Sequence, residues 1–280
     1  MGLGDTQTDL LIAWKRIYLE RDNMYKDGAT LTAAHTPNGD ASNDTITVDN
    51  AYDFRTTGPN SLITIFGQGG NSVDTYVISK TTTTITIPDL NTGFSKYDGV
   101  KIRSENDTYS APDDYILMAY GMDPDGSDGG VFVEFVDTSG DESIPKYKNF
   151  PDNDEMSEFC LYWFDHPGIS GKNCIQLVAG KAIYSGKLGM SNPGLNRSII
   201  YNDAHTGTNK DKKLKDTVVH ELGHQFDVSG AHVDSNDHHQ NHLGAGHDDC
   251  IMTYATDDED DESEFCTDCI GEVRREDEPL

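Results

Sequence analysis

Residues 218–234 read VVHELGHQFDVSGAHVD, which sets His220 and His224 four apart with Glu221 directly after the first. On a helix, side chains at i and i+4 leave one face about a turn apart, so both imidazoles can reach one metal ion. The carboxylate beside them need not touch that ion. It can take a proton from an activated water and pass it to a leaving amine. Zinc lowers the pKa of its bound water to about 7, which supplies hydroxide at neutral pH. The pattern therefore points to zinc-assisted hydrolysis, with His220 and His224 as ligands and Glu221 as general base.

A catalytic zinc takes three protein ligands and keeps a position for water. The third is sought downstream among His232, Asp234, His238, His239, His242 and His247. His232 is the nearest histidine and lies just past Gly230, where the helix can end and the chain turn back. Five cysteines, Cys160, Cys174, Cys250, Cys266 and Cys269, cannot all pair within one chain, so metal ligation or a free thiol takes up at least one. Residues 123–130, DPDGSDGG, space Asp123, Asp125 and Asp128 like part of a Ca2+ loop but lack the bidentate glutamate, and a β-turn accounts for them as well. His35, His166 and His205 stand alone and read as surface or hydrogen-bonded structural residues, and Trp14 and Trp163 as packing groups.

The histidine pair needs a helix. From about Lys210 to Val228, Leu214, Val218, Leu222 and Phe226 recur on one face, which predicts it, and Gly223 leaves room near the metal face. Residues 7 to about 27 place Leu10, Leu11, Trp14, Ile17, Tyr18 and Met24 at helical spacing and predict an N-terminal amphipathic helix. Between 45 and 108, alternating runs such as SLITIFG, DTYVISK and TTTTITIPDL predict a small β module. Beyond it DYILMAYGMD, GVFVEFVD, EFCLYWFD, CIQLVAGKAIYSG and RSIIYND read as strands that feed the long helix, an α+β arrangement. TDDEDDESE, residues 256–264, reads as a solvated loop.

HELGHQF followed by CIMTY resembles the metzincin clan of zinc metallopeptidases, with its elongated HExxHxxGxxH signature and methionine-bearing turn. The resemblance implies an α+β catalytic domain over 109–280, a twisted mixed sheet over an active-site helix. A helix and linker (1–44) and the β module (45–108) would precede it. It implies His220 and His224 as the first two ligands, Glu221 as base, and Met252 as the turn methionine. Tyr254 matches the Met-x-Tyr of the astacin-like and serralysin-like branches, where the tyrosine assists the oxyanion. A protein or peptide substrate would pair with an edge strand, for which QLVAGKAIYSG is the candidate. The clan's glycine and third histidine fall on Asp227 and Gly230, and a short insertion that moves them to Gly230 and His232 repairs the match.

HDDCIM and FCTDC also resemble the archaemetzincin branch, whose cysteines hold a second, structural zinc. Cys250, Cys266 and Cys269 match three of those ligands, and His247 completes an H-x2-C and C-x2-C pair, with His242 and His239 as rivals. A disulfide from Cys266 to Cys269 or Cys250 is the other reading. The function implied is a zinc-dependent endopeptidase. Beside it stand a non-catalytic zinc-binding or adhesion module, kept open by Asp227 and Gly230, and a zincin with Asp234 as third ligand.

At 280 residues, with 35% hydrophobic residues, the chain can build a real core. Forty-nine acidic against 21 basic residues give a net charge of −28, which repels nucleic acid and anionic membrane and favours cations. No apolar run of roughly 18 residues or more is present to insert in a membrane, and no signal peptide opens the chain. It reads as a fragment of an exported or larger protein, with localisation open.

Overall fold

The computed structural model describes residues 13–56, 62–104, 106–112, 131–137, 142–147, 152–165, 174–180, 187–192, 195–226, 251–252, 265, 269 and 273. Its largest sheet has six strands. β1 (Ala13–Met24) lies one strand in from an edge, with β11 (Cys174–Gly180) on one side and β9 (Val131–Asp137) and β10 (Glu142–Ile144) sharing the other, all parallel. β13 (Arg197–Tyr201) runs parallel to β11, and β12 (Gly189–Asn192) closes the edge antiparallel to β13.

Side chains alternate across this sheet, so each strand feeds two cores. Leu19, Ile175, Leu177 and Ile200 pack with Val218, Val219, Leu222 and Phe226 of helix α2 (Lys210–His224) and the residues just after it. On the other face Met24, Val178, Ile199 and Tyr201 meet Met156, Phe159, Cys160 and Trp163 of helix α1 (Asn153–Trp163). The N-cap Asn209 gives α2 no side-chain bond. Packing holds it instead: burying each large apolar side chain stabilises by roughly 1.5–3 kcal/mol, more than the ~1 kcal/mol of a typical cap.

Between β1 and β9 the chain builds two smaller antiparallel sheets. One orders β2 (Ala29–Thr30), β8 (Gly99–Ile102), β4 (Leu62–Phe66) and β5 (Ser72–Tyr76); the other orders β3 (Asp44–Thr47), β7 (Thr84–Ile87) and β6 (Ser79–Lys80). Ile46, Val48, Phe54, Ile63, Ile65, Ile85, Ile87 and Val100 fill the core they share. Polar bonds fasten this unit to α1 and to the segment that follows β10. Trp163 Nε1–H donates to the Tyr97 carbonyl at 3.1 Å, Tyr97 donates to Glu158 at 2.6 Å, and Thr30 donates to the Lys146 carbonyl at 2.9 Å.

The expected α+β architecture, an N-terminal helix and β module ahead of a metzincin-like sheet over an active-site helix, is corrected by this structure. Among the described residues there are three sheets, with 36% in strands, and two α-helices. Residues 13–24 are strand where the spacing predicted helix. Pairing on both sides, in a sheet covered on both faces, buries Leu19, Glu20, Asp22 and Met24 alike, and that tertiary gain overrides local helical spacing. EFCLYWFD, read as a strand, lies largely in α1. Asp152 caps that helix by accepting from the Glu155 N–H at 2.8 Å, and Met156, Phe159, Cys160 and Trp163 make its buried stripe. Among the described residues no helix is long and apolar enough to cross a membrane, which says nothing of barrel strands.

Candidate metal centre and its carboxylate

The buried stripe of α2 fixes which way its opposite face looks, and His220 and His224 emerge there half-buried. Their Nε2 atoms lie 3.1 Å apart and their rings stand at 90°. Nδ1 of His220 is 2.8 Å from the Ile251 carbonyl. A carbonyl only accepts, so Nδ1 carries the proton of the neutral ring and Nε2 keeps its lone pair facing His224. Such an outer hydrogen bond is what sets the tautomer of a metal-binding histidine.

Met252 is fully buried and packs on the helix at Gly223. A Cβ at Gly223 would come 2.7 Å from the Met252 sulfur and 3.3 Å from the Phe265 ring, so glycine is what lets this turn approach the helix. The expected room at Gly223 is thus filled by the methionine.

Glu221 lies with its carboxylate against the edge strand of the sheet. Only 5% of it is exposed, and Ser191 of β12 lies 2.7 Å from both its Oε2 and its backbone carbonyl. Ser198 of β13 reaches the same carbonyl at 3.1 Å and Ser191 at 2.8 Å, and it accepts from Gln225 Nε2 at 3.1 Å. Burial pushes the Glu221 carboxyl up to about 7, with the Ser191 bond and the Lys187 charge pulling the other way.

His232, Asp234, His247, Cys250, Tyr254 and Cys266 lie outside the described residues, as does the 123–130 loop. Cys269 is buried in the core with Leu222, Met252, Phe265 and Val273. Among the described residues no three His, Cys, Asp or Glu side chains form a group that could hold a metal. His220 and His224 fit two positions of a zinc site by donor type, convergence and the tautomer held at His220. Cys160 is buried, forms no disulfide, and has its thiol pushed up to about 12 by that burial, the state of an inert packing residue. His205 is tied by its ring nitrogens to the Tyr201 carbonyl and Thr217.

The edge-strand expectation needs correcting. Residues 176–180 of QLVAGKAIYSG lie in β11, which is paired on both sides and buried, while 181–186 lie outside the described residues; the antiparallel edge is β12. Sequence reading passed over Gly189, Ser191 and Ser198. The signal was the Pro193–Gly194 turn dipeptide between GMSN and RSIIY, which marks a hairpin. Comparison of the chain with protein-family models, curated proteins and solved structures gives no match.

Proposed function

We propose that the protein is a zinc-dependent endopeptidase in which His220 and His224 hold the metal and Glu221 moves the proton. The observation that carries this reading is the convergence of the two Nε2 atoms at 3.1 Å, with the His220 tautomer fixed by Ile251. His232 is the proposed third ligand and Asp234 its rival. The likeness to metzincins is retained for these site residues and for Met252, not for the overall architecture. A bound zinc ion supplies Lewis acidity toward a peptide carbonyl and toward water.

Glu221 accepts a proton from the attacking water and returns it to the departing amine, a task suited to a carboxyl whose pKa lies near 7. The peptide is proposed to lie along β12, which pairs on one side with β13 and carries the residues that touch Glu221. Cys250, Cys266, Cys269 and His247 are proposed as a second, structural zinc site.

The test is elemental analysis of wild type and Glu221→Ala together with cleavage of unfolded casein. Zinc in both proteins with cleavage by the wild type alone supports the peptidase. Zinc in both with cleavage by neither moves the assignment to a non-catalytic zinc-binding module, and absence of zinc overturns both.

A further inference from the structure

We infer that Ser191 is a positioning residue for Glu221, holding its carboxylate against the sheet edge in the orientation that proton transfer requires; this rests on the peptidase reading above. Three contacts carry it. Ser191 Oγ is 2.7 Å from Glu221 Oε2, 2.7 Å from the Glu221 carbonyl and 2.8 Å from Ser198 Oγ. Two residues earlier on the same face of β12, Gly189 leaves no space for a side chain: a Cβ there would meet Glu221 Oε1 at 2.6 Å and Cγ at 2.7 Å. The carboxylate is thus hydrogen-bonded by one residue of the edge strand and walled by another, and α2 supplies its stem.

One hydroxyl has one proton, so the two serines divide the acceptors. Ser198 donates to the Glu221 carbonyl while Gln225 donates to Ser198, which leaves the Ser191 proton for Oε2. When the carboxyl has taken a proton during turnover, Ser191 can accept from it and turn its own proton toward the Glu221 carbonyl or Ser198. A group that only donates or only accepts would lose its bond in half of the cycle. A hydroxyl keeps it in both halves without moving the carboxyl.

The test compares wild type, Ser191→Ala and Ser191→Thr as purified zinc-loaded full chains on casein and on a quenched peptide, with zinc content measured for each. Alanine is expected to lower kcat about 10- to 100-fold, the usual loss for a group that orients a catalytic one, with KM within about twofold and zinc content unchanged. Threonine, which keeps the hydroxyl, restores most of kcat. A second measurement needs no turnover: urea midpoints of the chelator-treated chain for Ser191→Ala, Glu221→Ala and the double variant. Removing Ser191 should lower the midpoint less when Glu221 is already absent. An unchanged kcat in Ser191→Ala, a loss that threonine does not recover, or additive midpoint shifts would each overturn the inference. A wild type that binds zinc but cleaves nothing overturns the peptidase reading instead, and the two failures are told apart by the wild-type assay.

Discussion

The Nδ1 atom of His220 and the carbonyl oxygen of Ile251 lie 2.8 Å apart, although the residues are 31 positions apart in the chain. That contact joins the helix of the histidine pair to the turn at Ile251 and turns Nε2 of His220 toward His224 Nε2, 3.1 Å away. In the metal-free protein at pH 8, nitrogen-detected NMR should therefore show the His220 ring protonated at Nδ1. His220→Ala or His224→Ala should lower bound zinc by one equivalent relative to wild type, by elemental analysis. A His220 ring protonated at Nε2, or full zinc retention in either variant, contradicts the assignment.

Met252 is fully buried against Gly223 and within the core that includes Leu222 and Phe265. Truncating a buried methionine to alanine typically costs about 2–5 kcal/mol, whereas a volume-conserving change to leucine costs less than about 1.5 kcal/mol. Urea unfolding of Met252→Ala and Met252→Leu should fall in that order, with zinc content kept in the leucine variant. Equal stabilities would mean that the turn does not pack on the helix.

How much of this was legible in the sequence follows from whether a signal is local. The spacing of His220 and His224 and the stripe at Val218, Leu222 and Phe226 depend on helix geometry alone, and α2 starts where they predict, at Lys210. α1 was also written locally, in Asp152 followed by acidic residues and the Met156, Phe159, Cys160 and Trp163 spacing, but the aromatic run EFCLYWFD masked it as strand. β1 could not be read locally. Its strand state comes from partners more than 100 residues away, such as Phe135 opposite Ile17 and Ile175 opposite Leu19. The same holds for Ser191 and Glu221, which meet only because β12 folds back on β13.

Glu142 lies opposite Asp22 in the β1–β10 pairing and faces Asp165 and Glu20. Burial first, then the Asp165 charge, push its carboxyl up to about 7, whereas in an unfolded chain glutamate titrates near 4.3. Between those values Glu142 is protonated more in the folded than in the unfolded chain, so its contribution to stability falls as pH rises from about 4.3 to about 7 and levels off above. Glu142→Gln should flatten that part of the profile and be more stable than wild type at pH 8. Urea midpoints at pH 5, 6, 7 and 8 measure this, and parallel profiles for the two proteins would sink it.

Gly189 and Glu221 press on each other across the edge of the sheet, and the consequence can be measured without catalysis. Alanine at position 189 would also come 2.9 Å from Thr217 Cγ2, so the main relief is movement of the Glu221 side chain. Overpacking of this kind costs about 1–3 kcal/mol, and removing Glu221 removes most of the obstruction. Gly189→Ala should therefore destabilise the wild-type background clearly and the Glu221→Ala background much less, by chemical unfolding of the metal-free chain. In the zinc-loaded chain the same substitution should reduce casein cleavage, because the carboxyl that must exchange the proton is displaced. Equal destabilisation in both backgrounds would show that the strand, rather than the carboxylate, fills the space beside Gly189.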